Sequence, residues 1–160
     1  MANENLSKSA QSVQNALTKK GLSLNVVEFP ASTRTAQDAA NAIGCQVAQI
    51  VKSLIFRTQQ TQKPILVLAS GVNRVNEKMV EKHVGEKIEK ADADFARQTT
   101  GFAIGGIPPV GHTQIIETFI DEDLLALNEL WAAAGTPNAV FSIKTTDLQP
   151  LTNGKIISIH

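Results

Sequence analysis

The chain has 160 residues, 42% of them hydrophobic, with 15 basic and 15 acidic side chains and a formal net charge of zero. That is one domain's worth of chain with enough apolar content for a core, and its neutrality argues against a broad non-specific grip on nucleic acid while leaving recognition of a nucleic-acid end open. The single cysteine, Cys45, excludes an internal disulfide framework, residues 1–24 carry no apolar leader and no apolar run approaches a membrane span, so the expectation is one cytoplasmic domain over residues 1–160 that engages neither membrane nor DNA.

In chain order, helical spacing of Ala10, Val13, Ala16 and Leu17 predicts a helix over 7–19, closed by Gly21. Residues 24–29 read as a strand stopped by Pro30. Thr35 opens a capping box with Asp38, followed by a helix over 36–43 and a closing Gly44. The apolar run 47–57 reads as a strand, a polar turn spans 58–63, and 65–69 forms the second arm of an antiparallel hairpin. A short helix from Asn76 to His83 ends at Gly85. A short strand over 88–91 follows, then a helix capped by Asp92 or Asp94 that runs through Gln98 to Gly101. Strands are expected over 102–104 and 114–120. Asp121 caps a turn over 122–127, and residues 129–134 are helical by propensity. A strand over 140–144, a short helix over 146–151 interrupted by Pro150, and a strand or tail over 156–159 complete the chain. Short strands and helices mix without a βαβ repeat, which predicts an α+β fold around a mixed sheet or small barrel.

Four of the ten glycines and two of the six prolines crowd into the fourteen residues from Thr99 to His112. Glycine permits close backbone approach and proline fixes φ while removing an N–H. On composition alone this is a rigid turn. The functional alternative is a stiff loop offering the backbone donors of Gly105, Gly106 and Ile107. Lys52 shares a strand face with Ile50, Leu54 and Phe56 by the period of two. An ammonium there requires an anion or a polar cavity, or else an edge position from which it reaches water; both readings stand.

Residues Gly106 to Thr113 nearly spell a phosphate-binding P-loop. His112 stands where the lysine is required, two prolines delete cradling N–H groups, and a strand-like run follows where a helix must begin, so nucleotide hydrolysis by that route is excluded. His83, His112 and His160 form no i, i+4 pair and there is no CxxC, so neither a metal site nor a cofactor is expected. His83 reads as a surface residue and His160 as tail; His112, beside the loop, is the one histidine placed to work in a site. Cys45 reads as a small hydrophobe. Ser53 and Ser70 lack a nucleophile-elbow context. Lys8, Lys19 and Lys20 read as a solvated helix face. Without a nucleophile–base–acid set, any catalysis rests on positioning and backbone electrostatics.

The segments Thr35-Ala36-Gln37-Asp38-Ala39-Ala40, Gln49-Ile50-Val51-Lys52-Ser53-Leu54, Leu68-Ala69-Ser70-Gly71 and Thr100-Gly101-Phe102-Ala103-Ile104-Gly105-Gly106-Ile107-Pro108-Pro109-Val110-Gly111 occur in an order and spacing that resemble the YbaK/prolyl-tRNA synthetase-associated domain family. The resemblance runs from about Val13 to Gly154. It implies a mixed β-barrel-like sheet surrounded by helices, with 129–134 as strand, and hydrolysis of the ester joining a wrong amino acid to the 3′ end of tRNA. The family's strand lysine falls on Lys52 and its GxxxP loop on Gly105, Gly106, Ile107, Pro108 and Pro109. Lys52, Gly105, Gly106, Ile107 and Pro109 are thereby the implied catalytic set. Phe29, where some members carry a pocket aromatic, Ser53, Gly71, Pro108, Gly111, His112 and Ser142 are the implied substrate contacts.

The implied mechanism is attack by water, assisted by a hydroxyl or thiol of the substrate. The implied partners are the acceptor end of an aminoacyl-tRNA and, beside it, an aminoacyl-tRNA synthetase. The cysteine-removing branch has a Lys-Arg-Gly stretch and an acidic pair where this chain has Gly135-Thr136-Pro137-Asn138-Ala139-Val140-Phe141-Ser142. Val140 and Ser142 occupy the acidic positions, so alanine, serine and threonine stand beside cysteine as candidate amino acids. A catalytically silent module that docks to tRNA or a synthetase, and a small-molecule esterase or phosphate binder, are the competing readings of the same residues.

Overall fold

The computed structural model describes residues 6–160; the first five residues of the stretch 1–24, read above for an apolar leader, lie outside the described residues. The elements are, in order, α1 (Lys8–Lys19), β1 (Val27–Glu28), α2 (Ala36–Ile43), β2 (Ile50–Thr58), β3 (Pro64–Ser70), α3 (Glu77–Val84), β4 (Ile88–Lys90), α4 (Ala93–Thr100), β5 (Glu117–Asp121), β6 (Glu129–Ala133), β7 (Ala139–Lys144), α5 (Thr145–Thr152) and β8 (Lys155–Ile157), with 3₁₀ turns at Val47–Gln49 and Glu122–Ala126. The eight strands make one mixed sheet in the order β1-β7-β6-β2-β3-β5-β8, with β4 added on β2. The fold is α+β, as expected, but the sheet is open, with β1 and β8 at its ends, and does not close into a barrel.

β3 shows how the sequence builds the core. Leu66 and Leu68 point into a cluster with Val13 and Leu17 of α1, while Ile65, Val67 and Ala69 point into a second cluster with Val80 of α3 and Phe119 of β5. All five β3 residues are fully buried, and a strand covered on both faces reads as a continuous apolar run. Burying each of the larger ones contributes about 2 kcal/mol. Thr35, Asn76 and Asp92 start their helices as expected, Asp92 and not Asp94 being the cap, and Ser7, read as the first helical residue, is the cap of α1; each accepts an N–H of the first turn. Thr35 matters most for the site, since its hydroxyl accepts the Asp38 N–H at 3.0 Å and fixes the start of α2. Thr35→Ala is expected to destabilise the protein by about 1 kcal/mol, read as a shift in the urea midpoint at unchanged slope.

Several expected elements change. Residues 102–104 form no strand: the Phe102 N–H bonds to the Thr100 hydroxyl and the Gly106 N–H closes a turn onto the Ala103 carbonyl at 3.0 Å. The run 114–120 shortens to β5, and Ile115 before it is fully exposed. Residues 24–29 shorten to β1 because only Val27 and Glu28 reach β7, and 47–49 turn before β2 begins. Helix α5 continues through Pro150, anchored by the buried Leu148 and Leu151. Residues 129–133 are strand, not helix: Leu130 and Ala132 are buried while Trp131 and Ala133 are half-exposed on the other face, and pairing with β2 and β7 outweighs the helical propensity of Glu, Leu and Ala.

One irregularity of the sheet locates the site. β2 pairs with β3 along one edge from Val51 to Arg57. Its other edge is shared, with parallel β6 at Ile50 and Val51 and antiparallel β4 at Phe56 to Thr58. Over Lys52, Ser53 and Leu54 that edge has no strand beside it among the described residues.

Candidate active site

The unpaired interval of β2 opens into a cleft in two parts. The first part, about 350 Å³, lies between β2, the start of α2 and strands β6 and β7, with Arg34, Ala39, Trp131, Ala133 and Val140 among its walls. The second, about 560 Å³, continues toward Arg74 and Lys90. Lys52, Ser53, Leu54, Ile104 and Ile107 line both, so the central strand and the Gly/Pro loop face one another across a single opening.

Lys52 is half-buried on a central strand, not at an edge, and its Nζ donates to the Asn73 carbonyl at 2.6 Å. Burial and then the nearby Arg74 guanidinium push its pKa below the ordinary lysine range, with Asp121 pulling the other way. The Asn73 carbonyl is itself held. The Asn73 side-chain amide donates to Asp121 Oδ2 and to Asp123 Oδ2, each at 2.8 Å. Asp121, fully buried, also accepts the Ser70 N–H at 3.0 Å and the Asp123 N–H at 2.9 Å. Asp123 meets His160 Nε2 at 2.8 Å, a contact that raises the imidazole pKa and lowers that of the carboxyl. The lysine head is thus located by a fixed turn with one acceptor committed to it; its remaining donors are available to a ligand.

The loop is stiff for identifiable reasons. Gly105 has φ +97°, a conformation L side chains rarely adopt, and the Arg34 side chain lies over it. Gly106 packs against the Thr136 backbone and its carbonyl accepts the Gly135 N–H at 2.8 Å. The Gly106 N–H is spent on the Ala103 turn, so of the three expected donors it is not free. The N–H groups of Gly105 and Ile107 have no hydrogen-bond acceptor among the described residues. Pro108 and Pro109 are buried behind the cleft. The His112 ring nitrogen Nε2–H donates to the Pro108 carbonyl at 2.7 Å, closing the far side of the loop, and burial lowers the His112 pKa, the Pro108 contact opposing.

Of the residues singled out from sequence, Lys52, Ser53, Gly105 and Ile107 come together on the cleft. Gly106, Pro108, Pro109, Gly111 and His112 shape the loop without lining it. Phe29 lies away, its backbone tied to Asn138. Gly71 abuts the Val47 carbonyl, and Ser142 sits opposite Trp131 in the β6–β7 ladder. Cys45 is half-buried against the small cluster around Ala40 and Ile50, and burial raises its pKa. Arg34, Arg74, Lys90 and Trp131 line the cleft but carried no sequence signal, since isolated cations and a lone tryptophan have no spacing to read. The cleft walls hold four cations, Arg34, Lys52, Arg74 and Lys90, and one carboxylate, Glu77. A neutral chain therefore presents a locally cationic opening.

The chain belongs to the aminoacyl-tRNA editing domain family, whose model matches residues 30–151. A crystal structure described as that of a candidate trans-editing enzyme for prolyl-tRNA synthetase superposes with a TM-score of 0.91 at 46% identity, over 97% of this chain and 98% of the other. The uncharacterised protein YwhH of Bacillus subtilis (strain 168) is 28% identical over 148 residues, 92% of this chain and 94% of its own. EbsC of Enterococcus faecalis (strain ATCC 700802 / V583), described as a candidate Cys-tRNA(Pro)/Cys-tRNA(Cys) deacylase, is 24% identical over 126 residues, 78% of this chain and 76% of its own. No helix among the described residues is long and apolar enough to cross a membrane.

Proposed function

We propose that the chain is a single-domain trans-editing deacylase that hydrolyses the ester of a mischarged aminoacyl-tRNA in the cytoplasm, working on the acceptor end and alongside a prolyl-tRNA synthetase. The observation that carries this reading is the pairing of a located cation, Lys52, with Gly105 and Ile107, which line the same cleft and whose N–H groups have no acceptor among the described residues. Lys52 holds a phosphate of the terminal adenosine. The aminoacyl group enters the first chamber, whose Ala39, Trp131, Ala133 and Val140 walls suit a small side chain. Water attacks the carbonyl carbon; its oxygen becomes bonded to that carbon, the oxyanion that forms is met by the loop N–H groups, and the ester C–O bond breaks. The ribose hydroxyl leaves with the proton that water gives up. Donors fixed in advance need no reorganisation as the charge develops, and an activated ester needs an oriented water more than a protein nucleophile.

Incubation with a panel of tRNAs carrying alanine, serine, threonine or cysteine tests the reading: loss of ester from one or two members supports it, while tRNA binding with no loss from any identifies a silent docking module. The lowered Lys52 pKa sets a pH dependence. The ammonium is the working form, so enzyme-dependent deacylation is expected to fall, as pH rises, before the ordinary lysine range is reached. In Lys52→Arg, whose guanidinium stays charged, that alkaline limb is expected to vanish. Initial rates corrected for spontaneous hydrolysis across pH check this, and a limb retained in the arginine variant assigns the titration elsewhere.

A further inference from the structure

The hydrolytic scheme fills the first chamber and leaves the second, about 560 Å³, without a tenant. Its chemistry differs from that of the first. Arg74 and Lys90 stand on its walls, Glu77 is the one carboxylate there, and neither cation forms an ion pair among the described residues. Ile55 accepts the Ala91 N–H through its carbonyl at the boundary with β4. Backbone groups two residues apart on a strand point to the same edge, so the Ser53 N–H and C=O also point into the gap, where no strand pairs with them. The Ser53 hydroxyl is buried and likewise has no hydrogen-bond partner among the described residues. Unpaired polar groups in the middle of a sheet are costly, and here they sit at the junction of the two chambers.

We infer that the second chamber holds the nucleotide preceding the terminal adenosine, with Arg74 and Lys90 on its phosphodiester and the unpaired Ser53 groups on its sugar or base. The inference rests on the deacylase reading of the first chamber. An aminoacyl group seated there puts the adenosine over Lys52, and the RNA chain must continue out of the first chamber. The second is contiguous through the same five residues and adds two further cations, Arg74 and Lys90, against one carboxylate, Glu77. An anion between Arg74 and Lys52 also relieves the repulsion of two like charges. The chamber offers no exposed aromatic ring, Phe56 being 2% exposed, so recognition is by charge and backbone polarity, not by stacking.

The test compares two substrates, a mischarged tRNA and the same amino acid esterified to the ribose of adenosine 5′-monophosphate, in wild type, Arg74→Ala, Lys90→Ala, the double variant and Glu77→Gln. For the tRNA, each cation removed is expected to raise KM about tenfold at unchanged kcat, and to reduce the slope of log KM against log salt by about 0.7. Glu77→Gln is expected to lower KM. For the aminoacylated adenosine monophosphate, Lys90→Ala and Glu77→Gln are expected to change neither constant. Equal effects on both substrates, or no effect on the tRNA, overturn the inference.

Titration with a 3′-terminal RNA trinucleotide separates it from the catalytic reading. If wild type hydrolyses neither substrate yet binds the trinucleotide in an Arg74- and Lys90-dependent way, the nucleotide site stands and the deacylase reading falls. If the trinucleotide binds equally to wild type and the double variant, the site is overturned whatever the activity.

Discussion

Lys52→Ala is expected to lower kcat/KM for deacylation by roughly two to three orders of magnitude, the range for deleting one member of a desolvated charge contact, while leaving the fold intact. The protein as described makes one hydrogen bond through the Lys52 ammonium, to the Asn73 carbonyl, and burial and Arg74 both disfavour its charge. Folding therefore gains little from the cation, and a ligand anion gains much. The expected signature is loss of activity with an unchanged melting temperature. Lys52→Met, which keeps an unbranched apolar stem, is expected to behave like alanine. Loss of stability in step with activity would make Lys52 a structural residue. Retained deacylation in a stable Lys52→Ala variant would remove it from the mechanism.

The parts of this fold that were legible are those governed by local chemistry. Thr35, Asn76 and Asp92 cap helices because a short polar side chain at that place satisfies an N–H that the helix leaves open, and the β2–β3 hairpin follows from two apolar runs joined by a polar turn. What was not legible is set by distant partners. Glu129 to Ala133 is built from helix formers and becomes strand because β2 and β7 lie on either side; the family resemblance, not the propensity, carried that segment. Phe102 to Ile104 looks like a strand and has no neighbour to pair with.

The site divides the same way. Lys52 stood out because a charge interrupts an apolar face, and Gly105 and Gly106 because glycine is rare enough to mark a backbone requirement. That Gly106 spends its N–H on Ala103, that Asn73 and Asp121 locate the lysine head, and that Arg34, Arg74 and Lys90 converge are facts of tertiary assembly. No spacing along the chain encodes them. The notch beside Ser53 belongs there too, since it exists only where β6 has left β2 and β4 has not yet joined it.

Gly106→Ala is expected to destabilise the protein by about 2–3 kcal/mol, the upper part of the range for overpacking, and to cut deacylation with it. A Cβ at Gly106 meets the N, Cα and C of Thr136 at 2.8 to 2.9 Å. That backbone cannot retreat cheaply. The Gly135 N–H is bonded to the Gly106 carbonyl, the Pro137 carbonyl accepts the Thr33 N–H at 2.6 Å, and Gly135 itself packs on the Ser9 carbonyl of α1. The loop must move instead, and it carries the Gly105 and Ile107 N–H groups with it.

Gly105→Ala makes the contrasting case. Its positive φ costs an L residue about 1–2 kcal/mol, but the atoms its Cβ would meet belong to the flexible Arg34 side chain, which can swing aside. Backbone conformation alone ranks Gly105 as the less replaceable of the two; contact with an immobile backbone reverses that order. Urea unfolding of both variants decides it, with Gly106→Ala expected to show the larger loss. The opposite ranking would mean that the 135–137 turn yields more readily than its hydrogen bonds to Gly106 and Thr33 imply.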